Sequence, residues 1–153
     1  MGYVEELRKL VGHRPLILVG TVIVIIDQDS RVLLQKRTFP EGIWGLPGGL
    51  MELGESTEDV GRREVLEETG LTVGKLHLIN INSGSRYFTR AQNGDEFYSV
   101  TAAYWTKDYK GTLVYDDEES LALKFFSLHE LPEQMIGSHR EIIEDYQKSL
   151  SNG

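Results

Sequence analysis

The sequence has 153 residues, with 16 basic and 24 acidic side chains, a formal net charge of -8 and no cysteine. This length fits one domain with enough buried apolar surface to fold, so we expect a single domain over residues 1–153. The lack of cysteine excludes disulfides, thiolate metal sites and cysteine nucleophiles and fits a cytoplasmic protein, while the acidic balance makes general nucleic-acid binding unlikely.

The first predicted element is a short amphipathic helix over residues 3–11. Apolar residues recur there at helical spacing before a glycine, namely Val4, Leu7, Leu10, Val11 and Gly12. Such a helix would cover a sheet edge or contact a second subunit, so a homodimer is one expectation. The apolar run over residues 16–26 is about half the length of a membrane-spanning helix, so no membrane association is expected.

Two β-rich segments follow, at residues 16–26 and 31–36. The Asp-Gln-Asp-Ser sequence between them predicts a hairpin, and the apolar first segment predicts a strand buried on both faces. We therefore expect both to be central strands. Residues 38–48 are rich in proline and glycine, which predicts an irregular backbone.

A helix with defined ends is predicted over residues 57–69. Ser56 is a typical N-cap, Asp59 completes a variant of the capping box, and Gly70 suits the left-handed position that ends a helix. Gly61 lies inside this helix and costs about 1 kcal/mol relative to alanine, which a helix packed on a sheet can bear.

The rest of the chain predicts further strands and a last helix. The strands are expected at residues 73–81, 85–90, 96–106 and 121–126, and the Gln92-Asn93-Gly94 turn joins the second of them to the third. An amphipathic helix over residues 136–150 would pack on the sheet. These elements predict an α/β protein with a mixed sheet.

Three carboxylates share one face of the helix predicted over residues 57–69. Glu64, Glu67 and Glu68 stand at i, i+3 and i+4, within an arc of about 100°. Converging like charges destabilise a helix, and the single guanidinium of Arg63 does not balance them and Glu55. Oxygen ligands without cysteine or histidine select Mg²⁺ first and Mn²⁺ second. A solvated acidic face is the alternative interpretation.

The segment at residues 49–71 resembles the Nudix box, G-x5-E-x7-R-E-U-x-E-E-x-G-U with U aliphatic. It has every specified residue, namely Gly49, Glu55, Arg63, Glu64, Val65, Glu67, Glu68, Gly70 and Leu71. A chance match is on the order of one in a million. The preceding WGLPGG resembles the lead-in of the same family. The resemblance implies a single Nudix hydrolase domain, in which a mixed β-sheet is sandwiched between α-helices.

The resemblance also implies a metal site. Glu67 and Glu68 would be the principal ligands, helped by the backbone carbonyl of Gly48 or Gly49. Glu64 would be a ligand or the general base. Glu55 would be an auxiliary metal residue, and the catalytic role of Arg63 would be to organise these acids.

A further catalytic acid is expected in the loop before the strand predicted at residues 121–126. Glu119 is the best placed candidate and Glu118 the next, although a solvated acidic loop is the alternative. Glu96 is a weaker candidate, because at the start of a strand its side chain could simply face solvent.

The resemblance implies Mg²⁺-dependent hydrolysis of a diphosphate bond in a nucleoside diphosphate linked to another moiety, or in a nucleoside triphosphate. Arg37, Trp44 and Tyr87 are the substrate-binding candidates, with surface or core packing as the alternative for each. The four histidines lack metal-ligand spacing and receive no role. An RNA 5'-pyrophosphohydrolase and a non-catalytic nucleotide-sensing module are the alternative functions.

Overall fold

Two β-sheets lie at the centre of the computed structural model, which describes residues 2–115 and 120–151. In chain order the helices and strands are α1 (Tyr3–Val11), β1 (Leu16–Ile25), β2 (Arg31–Arg37), β3 (Trp44–Gly45), β4 (Gly48–Leu50), α2 (Thr57–Thr69), β5 (Thr72–Val73), β6 (His77–Asn82), β7 (Phe88–Arg90), β8 (Glu96–Thr106), β9 (Tyr109–Lys110), β10 (Ser120–Ser127) and α3 (Gly137–Ser151). A short 3-10 turn at Ser85–Tyr87 precedes β7.

The larger sheet is mixed, as the sequence predicts. Its strand order is β4-β1-β8-β6, and β7 also pairs with β8. Strands β1 and β8 run parallel, with Leu16 opposite Phe97 and Ile25 opposite Thr106, whereas the other pairs are antiparallel. The smaller sheet has the order β10-β2-β3 and is antiparallel.

The predicted hairpin between the first two strands is correct for the turn and wrong for the pairing of the strands. The turn itself forms, because the Asp27 carboxylate accepts hydrogen bonds from the backbone of Asp29 and Arg31. Strand β1 then pairs with β8 on one edge and with β4 on the other, so β2 finds no free edge there. Strand β2 joins β10 and β3 instead, and each of the two strands is central in its own sheet.

Two further predicted strands are shorter than expected. The strand predicted at residues 73–81 divides into β5 and β6, because the chain turns at Gly74, whose backbone N–H donates to the Asp108 carbonyl. The strand predicted at residues 85–90 begins with the 3-10 turn, so only Phe88–Arg90 pairs with β8. The Asn93-Gly94 turn between β7 and β8 is confirmed, with Gly94 at a φ of 95°.

The core has two parts, one on each face of the sheets. Side chains of β1 alternate between them, with Val22 and Val24 in one part and Ile23 and Ile25 in the other. Helix α3 covers the first part with Ile142, Ile143 and Tyr146, and helix α2 covers the second with Val65. The burial of β1 on both faces and the sandwich of helices around sheet are therefore as predicted.

Helix α2 has the predicted ends. Ser56 Oγ accepts from the Asp59 backbone N–H at 3.0 Å, and the Asp59 carboxylate accepts from the Ser56 N–H at the same distance. Gly70 ends the helix with a φ of 79°. A Cβ on Gly61 would lie 2.7 Å from Ile23 Cδ1, so this glycine allows α2 to approach β1 closely.

Helix α1 is held at the rim of the larger sheet. The Tyr3 backbone N–H donates to the Glu52 carboxylate at 2.9 Å, and the Arg8 guanidinium donates to the Glu96 carbonyl at 2.6 Å. Within residues 2–115 and 120–151, no helix is both long and apolar enough to cross a bilayer.

Candidate active site

Arg63 organises the acidic face of α2. Its guanidinium makes two hydrogen bonds to the Glu55 carboxylate, at 2.7 and 2.9 Å, and one to Glu64 at 2.6 Å. The Glu67 carboxylate lies 3.6 Å away. The hydrogen bond from Arg63 holds the pKa of Glu55 below its usual value, and its acidic partners, Glu55 first, raise the pKa of Arg63. The structure therefore places Arg63 among Glu55, Glu64 and Glu67.

Glu68 lies on the inner side of the same helix. Its side chain is buried, and Oε1 accepts a hydrogen bond from the Gly48 backbone N–H at 2.8 Å. Glu67 is more accessible, with 56% of its side chain exposed. Adjacent glutamates thus face different surroundings, one toward strand β4 and one toward solvent.

Two glycines allow strand β4 to lie close to its neighbours. A Cβ on Gly48 would lie 2.1 Å from the Thr21 carbonyl oxygen, and a Cβ on Gly49 would lie 2.4 Å from Glu64 Cδ. No side chain fits at either position without moving the backbone or the Glu64 carboxylate. The Gly-Gly pair therefore lets the carboxylates of α2 reach the backbone of β4.

The acidic groups fit a hard divalent cation in their chemistry, but they do not converge in the way that the sequence predicts. In the described part of the chain, no three acidic or histidine side chains lie close enough together to coordinate one ion. Glu64 is bound to Arg63, and Glu68 is bound to Gly48. The donors available to Mg²⁺ are these carboxylates, that of Glu67 and the carbonyl of Gly49, all of them oxygen ligands.

A groove of about 290 Å³ runs from the Gly-Gly pair over the α3-side face of the larger sheet. It continues into a second hollow of about 220 Å³, and the two share Ser99, Thr101 and His139 as lining residues. The acidic face of α2 and this groove meet at Gly48 and Gly49. A ligand lying in the groove would therefore reach the carboxylates at one of its ends.

Arg37 lines this groove. Burial lowers the pKa of its guanidinium, and the negative charge of Glu68 partly opposes that effect. The Nε atom is buried without a hydrogen-bond partner among the described residues. Within the described residues, Arg37 is thus a cation whose Nε lacks a hydrogen-bond partner and which lies close enough to Glu68 to feel its negative charge.

The other two substrate-binding candidates lie in different places. Tyr87 lines the second hollow, and its hydroxyl donates to Asn82 at 3.3 Å. The Trp44 ring packs edge-on against Phe126, with 4.8 Å between the ring centroids, at the border of the core. The structure brings Tyr87 and Arg37 to one continuous groove and places Trp44 against the core.

Of the three further acids that the sequence analysis considers, only Glu96 lies among the described residues. Glu96 is paired with Arg90, whose Nε donates to its carboxylate at 2.8 Å. Glu118 and Glu119 lie outside the described residues, so the role predicted for Glu119 stays a prediction.

His139 is a groove residue that the sequence analysis missed. Its Nδ1 accepts a hydrogen bond from the Leu46 backbone N–H at 2.9 Å. Burial, and then the positive charge of Arg37, lower the pKa of His139 to about 3, so the ring is neutral at pH 7. Metal-ligand spacing does not reveal such a residue. The available signal is its place in the first turn of a helix predicted to pack on the sheet.

Comparisons with known proteins identify relatives over most of the chain. The family model of the NUDIX domain matches residues 17–146. An ADP-ribose pyrophosphatase of Methanocaldococcus jannaschii is 31% identical over 126 residues, which are 81% of this chain and 70% of that protein. A putative 8-oxo-dGTP diphosphatase of Bacillus subtilis is 30% identical over 137 residues, which are 87% and 82% of the two chains.

Similarity extends to solved structures. The crystal structure of a MutT NUDIX hydrolase from Burkholderia pseudomallei superposes with a TM-score of 0.73 at 28% sequence identity. The match covers 85% of this chain and 98% of the other.

Proposed function

This chain belongs to the NUDIX family of pyrophosphohydrolases, and from that premise we propose that it uses Mg²⁺ to hydrolyse the diphosphate bond of a nucleotide. The substrate would be a nucleoside diphosphate linked to another moiety, or a nucleoside triphosphate. One observation carries the proposal: the acidic face of α2 meets the groove at Gly48 and Gly49. A ligand in the groove would place its phosphates beside those carboxylates.

We assign the metal ligands to Glu67, Glu68 and the carbonyl of Gly48 or Gly49, with Glu64 as a further ligand or the general base and Glu55 as an auxiliary acid. A bound Mg²⁺ would polarise phosphate oxygens and lower the pKa of the attacking water. Mn²⁺, another hard divalent ion, would substitute for it.

The protein's own residues would prepare this site in three ways. Arg63 holds Glu55 and Glu64 in place until a cation competes for them. The Gly48 N–H orients Glu68. Glu64 or Glu119 would accept the proton of the water.

The groove supports a nucleotide as the ligand. Arg37 would face a phosphate, since a guanidinium that lines the groove and has an unpaired Nε among the described residues suits an anion. Tyr87 would contact the far end of the ligand, and Trp44 would support the wall from the core side. The relatives' substrates, ADP-ribose and 8-oxo-dGTP, are the first two compounds to test.

The test is hydrolysis of ADP-ribose and 8-oxo-dGTP with Mg²⁺ or Mn²⁺, with products resolved by mass in heavy-oxygen water. We expect Glu67→Gln with Glu68→Gln to lower kcat/KM about 100-fold or more, because metal catalysis contributes several kcal/mol. The matched control replaces two exposed glutamates, Glu130→Gln with Glu133→Gln, and should retain wild-type rates.

Wild-type activity in the double variant at positions 67 and 68 would refute the metal assignment. Tight nucleotide binding without turnover under any metal would identify a nucleotide-sensing module instead. Release of pyrophosphate from triphosphorylated RNA, with small nucleotides left intact, would identify an RNA 5'-pyrophosphohydrolase.

We further propose a single domain over residues 1–153 that works as a homodimer. The larger sheet exposes apolar side chains on its α2-side face, at the end that α2 leaves uncovered. Ile17 is 73% exposed there and Ile81 is 60% exposed, and the partly exposed Tyr98 lies beside Ile17. Exposed apolar side chains on one face of a sheet favour contact with a second copy. The cytoplasmic location also remains a proposal.

A further inference from the structure

The hydrogen bond between Leu46 and His139 fixes which ring nitrogen carries the proton. A neutral imidazole has one donor nitrogen and one acceptor nitrogen. Because Nδ1 accepts from the Leu46 N–H, the proton resides on Nε2. The only hydrogen bond of the ring found among the described residues is the one at Nδ1, and Nε2 is not one of the fully buried atoms that lack a partner, so Nε2 is accessible. The donor of this half-buried ring therefore faces the groove that His139 lines.

Arg37 supplies further donors at the same place. Its guanidinium carries donors only, and its buried Nε has no hydrogen-bond partner among the described residues. Gly45 separates the two side chains: a Cβ there would lie 3.1 Å from both Arg37 Nε and His139 Nδ1. The absent side chain at Gly45 thus permits both residues to approach one wall of the groove.

We propose that His139 is a specificity-determining residue whose Nε2–H donates a hydrogen bond to an acceptor on the nucleotide, beside the Arg37 guanidinium. The inference rests on the proposed function and adds to it the chemistry of the selected group. Arg37 and His139 present donors only, so this wall selects a ligand group that presents acceptors. Such a group is a phosphate oxygen or a carbonyl or ring nitrogen of the base.

A neutral histidine is suited to this role. A positively charged side chain at position 139 would be repelled by Arg37. A side chain without an acceptor would leave the buried Leu46 N–H unpaired. The imidazole satisfies the Leu46 N–H with one nitrogen and offers a donor with the other.

The test measures binding of monophosphates that resemble the reaction products, so that it does not depend on turnover. Affinities for AMP, GMP and ribose 5-phosphate are measured by calorimetry, with and without Mg²⁺. We expect His139→Phe to weaken at least one of them about tenfold, the effect of losing one hydrogen bond to a ligand. His139→Gln, which keeps an amide donor, should recover most of the loss. The matched control is His129→Phe, since His129 is exposed, and it should change affinity less than twofold.

The three ligands separate the two sources of the acceptor. Weaker binding of all three compounds, with unchanged binding of the nucleosides adenosine and guanosine, identifies the phosphate, whereas weaker binding of AMP or GMP alone identifies the base. Unchanged affinity for all three overturns the inference. If the wild type hydrolyses nucleotides and His139→Phe has unchanged affinity, the inference about His139 is wrong and the proposed function stands. If binding depends on His139 but no nucleotide is hydrolysed, the proposed function is wrong and the inference about His139 stands.

Nitrogen NMR of the imidazole gives a readout that does not depend on the stability of a variant. We expect the wild-type His139 ring to be the neutral Nε2–H form from pH 8 down to about pH 5, and addition of AMP or GMP to shift Nε2 more than Nδ1. A ring that carries its proton on Nδ1, or that titrates with the ordinary pKa of about 6.5, would overturn the inference.

Discussion

At the scale of single residues, the site depends on a charged side chain, Arg63, that contacts several acidic partners. Arg63 binds Glu55 and Glu64 while Glu67 stays within 3.6 Å. The spacing of the acids predicts their common helix, but it does not predict that Glu68 binds the Gly48 backbone while Glu64 binds Arg63. That outcome depends on the approach of the Gly48 backbone, which is a tertiary contact.

His139 gives a prediction about stability against pH. Its pKa in the folded protein, about 3, lies below the ordinary value of 6.5, so the unfolded state binds the proton more readily. The contribution to stability is therefore complete above pH 6.5 and is lost as the pH falls toward 3. We expect the loss attributable to His139 to approach about 1 kcal/mol per pH unit between pH 6 and 4.

The measurement is urea unfolding across this pH range. His139→Phe should reduce the slope of the unfolding free energy against pH. His129→Phe also removes one histidine, but at an exposed position, and should leave the slope unchanged. Equal slopes in the wild type and His139→Phe would contradict the low pKa.

At the scale of elements, local signals predict α2 better than they predict the strands. Ser56, Asp59 and Gly70 define the ends of the helix through contacts within a few residues, and the observed helix has the predicted bounds. Strand partners are chosen over long distances. The Asp-Gln-Asp-Ser sequence correctly predicts the turn between β1 and β2. It does not show that β8 and β4 occupy both edges of β1 and so prevent a hairpin.

Gly61 offers a test of how α2 packs on β1. Alanine there would gain helix propensity but place its Cβ 2.7 Å from Ile23 Cδ1, in a fully buried region. We expect Gly61→Ala to destabilise the protein by about 1–3 kcal/mol, because overpacking outweighs the gain in propensity. Chemical denaturation would measure the change.

The control for this variant removes the obstructing methyl group. In the Ile23→Val background, Gly61→Ala should cost much less than in the wild type, because Cδ1 is absent. The same loss in both backgrounds would show that the close approach to Ile23 is not the cause.

At the scale of the whole molecule, the two faces of the larger sheet have different exposures. The α3-side face carries the groove, and the α2-side face exposes Ile17 and Ile81 beyond the end of α2. The sequence predicts the sandwich of helices around sheet, because the apolar β1 indicates burial on both faces. It does not show where a helix stops covering a sheet, which depends on the position of α2 along β1.

The exposed face predicts how the protein assembles. We expect a mass of two 17.3 kDa chains by light scattering, since association would remove this apolar surface from water. Ile17→Glu should shift the protein toward monomer, whereas Leu150→Glu, at an exposed apolar residue of α3 on the opposite side, should not. A monomer at every concentration in the wild type would refute the homodimer.

The parallel pairing of β1 with β8 has a consequence for how the chain folds. The paired residues are about 80 positions apart in sequence, and the contact between these strands closes the centre of the larger sheet. During synthesis, the apolar β1 therefore stays without its main pairing partner until β8 has emerged from the ribosome. This topology favours slow acquisition of the native state and gives chaperones an interval in which to bind the nascent chain.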